Sequence, residues 1–253
     1  MSACRGGTMT LAGVAKAFGP KVVLDGVDLT VEPGESLVII GGSGSGKSVM
    51  LKCVLGLMPI DAGNIGIDGV DLATASRAER AALRRRIGML FQGGALFDSL
   101  TVWRNITFAL TQGRARDAKA MRARAVELLA RVGLEERVAD LRPSELSGGM
   151  QKRVALARAI AADPETIFFD EPTTGLDPIR ADTINRLIRS LVSDLGVTAV
   201  TITHDMASVR RIADRVAMLK DGRIVWQGPV AALEASGNAY VDAFVHGRAE
   251  ADT

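Results

Sequence analysis

Residues 41–48 read Gly-Gly-Ser-Gly-Ser-Gly-Lys-Ser, and they fit the pattern G-x-x-x-x-G-K-[ST] of a phosphate-binding loop. The residues before the loop, Ser36–Ile40, form a short apolar run that predicts a buried strand. Residues 49–57 predict a helix, which should end near Gly56 and Pro59. A strand, a glycine loop and a helix in this order form the context that the motif requires.

The residue types of this segment suit the binding of a nucleoside triphosphate. Its glycines let successive backbone N–H groups turn inward, and the helix behind adds the positive end of its dipole. Lys47 supplies a charge for the outer phosphates, and the Ser48 hydroxyl is a hard oxygen ligand that suits Mg²⁺. A flexible glycine and serine loop is the alternative, but the flanking strand and helix favour phosphate binding. The predicted nucleotide-binding residues here are Gly41, Gly42, Ser43, Gly44, Ser45, Gly46, Lys47, Ser48 and Val49.

Composition limits the classes of protein that the chain can belong to. Its 253 residues are 47% hydrophobic and 24% charged, which is ordinary for a globular protein. A net charge of +2 gives no case for a general attraction to nucleic acid, and two cysteines are too few for a disulfide framework. We find no apolar run long enough to span a membrane and no apolar signal segment in residues 1–10. We therefore expect any role at a membrane to be peripheral, through a partner.

Residues 9–33 alternate between apolar and polar positions and predict short antiparallel strands with turns. Phe18 is notable in this stretch because aromatic residues make up only 4% of the chain. Its ring could pack in a small β core or could offer a face on which an adenine stacks. The stretch alone favours core packing, since most aromatic side chains are buried.

Residues 95–145 predict an amphipathic helical insert with a basic run. The run fits either a docking face or an ordinary solvated helix face, and the second is the more common case. Its members are Arg114, Arg116, Lys119, Arg122, Arg124 and Arg131.

Residues 146–151 read Leu-Ser-Gly-Gly-Met-Gln and precede a predicted helix over 152–161. Ser147 is well placed to cap this helix, and Gly148 and Gly149 let a ligand approach the free N–H groups closely. In isolation, an ordinary capped helix start is the favoured interpretation of these residues.

Two further predicted strands end in residues that can carry chemistry. Residues 166–169 are followed by Asp170 and Glu171, and the strand over 198–203 is followed by His204. The carboxyl ends of parallel strands are where ligands bind in open α/β sheets. Asp170 can hold Mg²⁺ or its water shell, and Glu171 can orient and deprotonate a water molecule. The alternatives are an exposed acidic turn at Asp170 and Glu171 and a structural role for His204. The predicted phosphate site beside these residues favours the functional interpretation.

Taken in order, these motifs resemble those of the nucleotide-binding subunits of ABC transporters over nearly the whole chain. The resemblance rests on the phosphate loop, Gln92 after a strand, residues 146–151, the strand ending at Glu171, Gly-Leu-Asp at 175–177, and His204. One residue departs from the family pattern, since Met150 stands where L-S-G-G-Q has glutamine. The N–H donors come from residues 147–149, so we expect nucleotide binding to survive this change.

The resemblance implies an α/β fold, the P-loop NTPase fold of the ABC ATPases, with an antiparallel β subdomain and a helical insert subdomain. It implies one ABC ATP-binding domain over residues 1–253. Its RecA-like core and N-terminal β subdomain should cover about 9–92 and 160–230, the insert about 93–159, and a C-terminal tail about 231–253.

The resemblance also assigns roles to single residues. It makes Phe18 the aromatic residue that stacks on adenine, in place of the core packing favoured above. It makes Gln92 the sensor of Mg²⁺ and of the attacking water, and His204 the switch histidine. The implied catalytic residues are Glu171, His204 and Gln92. The implied ligands of ATP include Phe18, Ser147, Gly148, Gly149 and Asp177 besides the phosphate loop, and those of Mg²⁺ are Ser48, Gln92 and Asp170.

In the resembled family, two subunits sandwich two ATP molecules head to tail. Such an assembly would place the phosphate loop of one copy opposite residues 147–149 of the other. The implied partners are therefore a second copy of the chain and integral membrane permease subunits, at the cytoplasmic side of the inner membrane. A non-transport ABC ATPase is a rival, but we find neither a long coiled-coil insertion nor a strong basic excess. We expect no nucleic-acid partner.

Three local strings resemble the ATPases of the Mla-type phospholipid transporters, which work with MCE-domain proteins. They are residues 91–102 (FQGGALFDSLTV), 143–150 (PSELSGGM) and 177–179 (DPI). This resemblance implies phospholipid transport between the inner and outer membranes, with an MCE-domain substrate-binding protein and a small STAS-type subunit as further partners. Another cargo, such as an amino acid, is the alternative, because the contacts to cargo would lie in other subunits.

Overall fold

Short apolar runs separated by glycine turns and amphipathic helices build two sheets flanked by helices. In the computed structural model, which describes residues 5–111 and 117–248, the strands are β1 Met9–Phe18, β2 Lys21–Val31, β3 Ser36–Ile40, β4 Ala62–Ile67, β5 Val70–Asp71, β6 Ile87–Leu90, β7 Thr166–Asp170, β8 Thr198–Ile202, β9 Arg215–Lys220 and β10 Arg223–Pro229. The helices are α1 Lys47–Val54, α2 Arg77–Arg85, α3 Val102–Thr111, α4 Ala118–Arg131, α5 Gly148–Ile160, α6 Pro178–Leu195, α7 Met206–Ile212 and α8 Ala239–Val245. Turns of 3-10 helix cover Glu136–Asp140, Pro143–Glu145 and Val230–Ala235.

The larger sheet has six strands in the order β10-β9-β3-β8-β7-β6. Strands β9, β3, β8, β7 and β6 are parallel, and only the edge strand β10 runs antiparallel to its neighbour. β3 and β8 are buried at every position, as expected for parallel strands covered on both faces. Because these strands are parallel, the segments that follow β3, β6, β7 and β8 all leave from one edge of the sheet.

The smaller sheet is antiparallel, in the order β2-β1-β4-β5. β1 and β2 are longer than the short strands that the sequence predicts, because Gly13 and Gly26 lie inside them with positive φ angles of 58° and 70°. The β1–β2 register shifts beside Gly13, which marks a bulge rather than a turn. A Cβ on Gly63 would lie 2.3 Å from the Gly13 carbonyl oxygen, so the bulge also depends on glycine in β4.

The helical insert packs around its own apolar faces, as the sequence predicts. Val102, Ile106, Leu128 and Leu129 are fully buried between α3, α4 and α5. Of the basic run, the guanidinium of Arg122 pairs with carboxylates on the 3-10 turn Glu136–Asp140.

Arg124 of the same run pairs with Glu127 and Asp163. The pairs of Arg122 and Arg124 fit a solvated, ion-paired face. Arg114 and Arg116 lie outside the described residues.

The C-terminal segment folds back onto the larger sheet. Asn238 caps α8, since its side-chain oxygen accepts hydrogen bonds from the N–H groups of Tyr240 and Val241 at 3.0 and 3.2 Å. Val241 is fully buried, and the ammonium of Lys220 lies 3.9 Å from the centre of the Tyr240 ring. Within the described residues, no helix is both long and apolar enough to cross a bilayer.

Candidate functional site

The phosphate loop joins β3 to α1 through backbone conformations and close contacts that require glycine. Gly46 precedes α1 with φ 107°, so the helix begins at Lys47, two residues earlier than the sequence predicts. A Cβ on Gly41 would lie 2.2 Å from the carbonyl oxygen of Leu219 on β9. The loop is thereby held against the sheet edge, with its helix N-terminus facing outward.

The ammonium group of Lys47 lies inside the loop rather than in solvent. It donates to the carbonyl oxygens of Gly41 at 2.7 Å and Gly42 at 2.8 Å, and to the Ser45 hydroxyl at 3.3 Å. Burial lowers the pKa of Lys47, while the carboxylates of Glu171 and Asp170 oppose that effect. The charge is therefore held close to where outer phosphates would lie.

Glu171 turns the chain sharply at the end of β7. Its N–H donates to the Ile202 carbonyl at 2.9 Å, and its φ of 46° is unusual for a residue other than glycine. One carboxylate oxygen lies 2.8 Å from Nδ1 of His204, and the other accepts from the hydroxyls of Thr174 and Thr203 at 3.2 and 3.4 Å. The carboxylate is thus aimed and half-enclosed at the sheet edge, as a general base must be.

Asp170, one residue earlier, is the last residue of β7. Burial raises the pKa of this carboxyl and the neighbouring Glu171 adds to the rise, while Lys52, Lys152 and Lys47 oppose it. A divalent cation bound here would relieve this unfavourable negative charge.

One cavity of about 650 Å³ collects most of the predicted site residues. The phosphate loop, the loop after β6 and the C-terminal ends of β7 and β8 surround this cavity. The lining residues that the sequence predicts are Gly41, Gly42, Ser43, Gly44, Lys47, Ser48, Gln92, Asp170, Glu171 and His204. Phe244, Gly247 and Arg248 of the C-terminal segment also line this cavity, and nothing in the sequence pointed to them.

Phe18 lines a neighbouring cavity of about 440 Å³ together with the phosphate loop. Its ring is 47% exposed, so core packing, which the residues of β1 alone favour, is wrong. Ser45, Gly46 and Val49 lie on the loop side of this second cavity. An adenine stacked on Phe18 would therefore stand beside the phosphate loop.

The glycines after Ser147 and the side chain of Asp177 do not line either cavity. Ser147 caps α5 by accepting from the Met150 N–H at 3.3 Å. Asp177 caps α6, and the Arg180 N–H is the main cause that lowers the pKa of this carboxyl. A Cβ on Gly148 would have no atom within 4 Å, and one on Gly149 would lie 3.9 Å from the side chain of Arg180. The structure thus leaves residues 147–149 and 177 apart from the phosphate loop of the same chain.

The cavity offers oxygen donors that suit Mg²⁺. In residues 5–111 and 117–248 there is no cluster of three or more histidine, cysteine or acidic side chains that could hold a metal by themselves. Ser48, Gln92 and Asp170 instead bring one hydroxyl, one amide and one carboxylate to the same cavity. Mg²⁺ binds through one or two carboxylates plus substrate phosphates and water, so this donor set fits it.

Two cations on α5 hold the loop after β6, and sequence reasoning missed both. The Lys152 ammonium donates to the Gln92 carbonyl, and the Arg158 guanidinium donates at 2.6 Å to the carbonyls of Gly94 and Ala95. Burial lowers the pKa of both cations. Their sequence signal is weak, because a lysine and an arginine in a helix usually face solvent.

Comparisons with known proteins show the family and the fold of the chain. Residues 24–174 match the family model described as ABC transporter. Escherichia coli strain K12 has a relative, the intermembrane phospholipid transport system ATP-binding protein MlaF. It is 40% identical over 232 residues, which cover 92% of this chain and 86% of MlaF.

A methionine import ATP-binding protein, MetN of Rhizobium johnstonii, is 44% identical over 91% of this chain. The chain spans only 63% of the length of that relative, and 60% of MetN from Mesorhizobium japonicum.

Solved structures of similar cassettes have the same fold. The dimeric cassette MJ0796, in a post-hydrolysis state bound to ADP and Pi, is 35% identical with a TM-score of 0.79, over 88% of this chain and 98% of that one. CbiO1 from Clostridium perfringens, part of an ABC transporter complex, is 28% identical with a TM-score of 0.80, over 93% of each chain. The predicted α/β fold of the P-loop NTPase type is therefore confirmed, and the chain belongs to the ATP-binding subunits of ABC transporters.

Proposed function

We propose that this chain binds ATP with Mg²⁺ and hydrolyses it to drive a membrane transporter. The observation that carries the proposal is the carboxylate of Glu171, which lies in the phosphate-loop cavity 2.8 Å from Nδ1 of His204. A carboxylate held this way can accept a proton from a water molecule placed beside the outer phosphate.

The other residues of the cavity divide the remaining tasks. The N–H groups of the phosphate loop and the ammonium of Lys47 bind the phosphates. Ser48, Gln92 and Asp170 would hold Mg²⁺, which when bound neutralises charge that develops on the phosphate oxygens. Phe18 offers its exposed ring to the adenine. His204 orients the Glu171 carboxylate and borders the position of the attacked phosphate.

We propose that a complete site needs a second copy of the chain. Residues 147–149 and 177 lie outside the cavity of their own chain, and residues 147–149 form the N-terminus of α5, which suits an anion. A head-to-tail homodimer would bring residues 147–149 of one copy to the phosphate loop of the other. Two of the similar solved structures are dimeric cassettes at 35% identity, which supports this arrangement.

We further propose that the loop over 93–102 contacts the permease at the cytoplasmic side of the inner membrane. Phe97 is 44% exposed and its ring lies 4.7 Å from that of Phe108, which is 42% exposed. The fully buried Asn105 accepts from the Phe97 N–H at 2.7 Å and donates to the carbonyls of Phe97, Leu100 and Thr101. The loop is therefore held in shape and presents an apolar pair, which is typical of a contact surface.

The proposed cargo is phospholipid, moved between the inner and outer membranes. The strings at 91–102, 143–150 and 177–179 and the 40% identity to MlaF support it. An MCE-domain protein and a small STAS-type subunit would then be further partners. Amino-acid import is the second candidate, because MetN relatives are 44% and 43% identical to the chain.

One pair of experiments tests the proposal. Glu171→Gln keeps the size of the side chain and removes its basicity, so ATP should still bind while hydrolysis becomes very slow and a closed dimer accumulates. Wild-type turnover in this variant would show that Glu171 is not the base. Copurification of the chain from native membranes should recover a permease together with an MCE-domain subunit. Recovery of a soluble amino-acid-binding protein and its permease would instead establish the second candidate.

A further inference from the structure

A buried hydroxyl beside the candidate active site joins three separate segments. Ser208 lies in α7, one turn after His204, and is fully buried. Its oxygen lies 2.5 Å from a carboxylate oxygen of Asp205, 2.8 Å from the amide nitrogen of Asn185 and 3.2 Å from the hydroxyl of Thr173. Thr173 follows strand β7, Asn185 lies in helix α6, and Asp205 is the residue that caps the N-terminus of helix α7.

The chemistry of the groups fixes the direction of every bond in this network. A carboxylate only accepts, so Ser208 donates its single hydroxyl proton to Asp205. Thr173 must then donate to Ser208, and Asn185 must present its NH₂ group. The Ser208 oxygen donates once and accepts twice, which is the full capacity of a hydroxyl. The network therefore has one arrangement rather than several.

Two of the three partners of Ser208 lie next to the proposed catalytic pair in the sequence. Thr173 follows Glu171 by two residues, and Asp205 follows His204. Asn185 lies on α6, the helix that Asp177 caps. We propose that Ser208, with Thr173 and Asn185, positions the Glu171–His204 pair for hydrolysis. This proposal rests on the proposed function of that pair.

Asn185 carries an energetic penalty that an apolar side chain at the same position would not have. Asn185 is 2% exposed, and its side-chain oxygen has no hydrogen-bond partner among residues 5–111 and 117–248. A leucine would fill such a position without that cost, since an unpaired buried acceptor is destabilising. Asn185 also lines a cavity of about 430 Å³ with His204 and Asp205. Its amide is therefore better explained by the bond to Ser208 than by filling space.

Matched substitutions separate positioning from packing. Thr173→Val removes the donated hydrogen bond at nearly constant volume, while Thr173→Ser keeps the hydroxyl. Ser208→Ala removes the shared oxygen. The control is Thr107→Val, because Thr107 is also buried and its hydroxyl donates to the Trp103 carbonyl at 2.8 Å, away from this site.

Steady-state ATP hydrolysis by the purified chain gives the first readout. We expect kcat to fall about tenfold in Ser208→Ala and Thr173→Val, which is the rate effect of losing about one hydrogen bond. KM for ATP should stay within about twofold, because the phosphates are held by residues 41–48. Thr173→Ser and Thr107→Val should both keep the wild-type kcat. If Thr173→Ser loses as much rate as Thr173→Val, side-chain packing explains the effect and the proposal is wrong.

The imidazole proton resonances give a readout that does not depend on turnover. The chain has only two histidines, His204 and His246, so His246→Gln assigns both signals. The His204 signal should move in Ser208→Ala and Thr173→Val and stay fixed in Thr107→Val. An unmoved His204 signal together with wild-type kcat in Thr173→Val overturns the positioning role. Because Thr173→Val alone decides this, the test holds even if Ser208→Ala is unstable.

Failure of the positioning role and failure of the proposed function give different results. If Glu171→Gln hydrolyses ATP at the wild-type rate, the proposed function of the pair fails. If Glu171→Gln is inactive and Thr173→Val is fully active, only the positioning role fails.

Discussion

At the scale of single residues, the ammonium group of Lys47 donates its hydrogen bonds to oxygen atoms of the phosphate loop itself. Phosphate oxygens carry full negative charge and should replace these neutral acceptors when ATP binds. Lys47→Ala should therefore raise the dissociation constant for ATP by about 10- to 100-fold, the range for losing a hydrogen bond to a charged group. Titration of the variant with a fluorescent ATP analogue measures this change. An unchanged dissociation constant would contradict the assignment of the phosphate loop.

We expect the Asp170 carboxylate to favour Mg²⁺ binding while it destabilises the folded, nucleotide-free chain. Its pKa is raised in the folded chain, so its contribution to stability is present at low pH and is lost as pH rises through the folded pKa. Asp170→Asn should therefore raise the melting temperature of the nucleotide-free chain by about 2–4 °C at neutral pH. The gain should shrink near pH ~4, where the wild-type carboxyl is also protonated. The same variant should bind ATP with Mg²⁺ more weakly.

Asp177 provides the control of opposite sign. Its pKa is lowered, first by the Arg180 N–H, so its charge stabilises the fold above the unfolded pKa. Asp177→Asn should lower the melting temperature at neutral pH, and the loss should fade as the pH falls. Thermal melts of both variants across this pH range make the comparison. Shifts of the same sign in the two variants would contradict the electrostatic account.

At this scale, the sequence predicted residues whose chemistry is tied to a short motif. Lys47, Asp170, Glu171 and His204 each follow or end a recognisable strand, and they line one cavity. Their roles in nucleotide binding, Mg²⁺ binding and catalysis stay predictions. Lys152 escaped notice because its importance comes from burial against the Gln92 carbonyl, 60 residues away. Pattern reading does not reveal such long-range contacts.

At the scale of elements, α5 controls the loop that follows β6. Arg158→Met should keep the helix while removing two hydrogen bonds to the carbonyls of Gly94 and Ala95. The loop should open locally more often, because the remaining contacts hold it less tightly. Hydrogen exchange of peptides covering residues 92–96 should speed up, while ATP affinity stays close to wild type.

Arg153→Met is the matched control on the same helix. Arg153 donates to the Gly133 carbonyl at 3.2 Å, at the far side of the insert. Its loss should leave exchange in residues 92–96 unchanged. Equal acceleration in both variants would mean that α5 as a whole had loosened, and the specific role of Arg158 would be wrong.

The elements themselves were largely predictable from apolar periodicity, and their ends were less so. The strands around Leu37, Phe168 and Val200 are short, apolar and buried, as the sequence predicts. The start of α1 differs because Gly46 adopts a left-handed conformation that no apolar pattern encodes. Gly13 likewise continues β1 through a bulge, whereas the alternation over residues 9–33 predicts short strands separated by turns.

At the scale of the whole molecule, Phe97 should connect the nucleotide cavity to the membrane partner. Its ring is 44% exposed, so Phe97→Asp should lose only the contact with Phe108 and melt within a few °C of wild type, about 1 kcal/mol. ATP binding should persist while association with the permease is lost. A pull-down and a thermal melt on this variant measure both effects.

Leu57→Asp is the control, because Leu57 is 64% exposed on another surface. It should leave permease association intact. A strong loss of melting temperature in Phe97→Asp would mean that the ring belongs to the core of the insert, since a buried unpaired charge is costly. A folded Phe97→Asp that still assembles with its permease would exclude both the contact and the core interpretation.

The family and the fold class were predictable from motif order alone, and both are confirmed. The placement of the C-terminal segment was not predictable. Phe244 and Arg248 reach the cavity because α8 packs against the 3-10 turn Val230–Ala235, with its own residue Val241 fully buried. That packing depends on complementary surfaces of distant segments, which a short apolar pattern does not encode.

The contact between Gly41 and the Leu219 carbonyl also has a genetic consequence. Every amino acid that a single base change can produce from a glycine codon carries a Cβ atom, and this position leaves only 2.2 Å for one. Gly93, by contrast, has no atom within 4 Å of where a Cβ would lie. In a library of single-nucleotide variants under selection for growth, codon 41 should retain only synonymous changes, while codon 93 should tolerate alanine or serine. The gene therefore has no tolerated one-step missense change at codon 41, and no side-chain substitution in β9 would open one, because the obstacle is a backbone carbonyl oxygen.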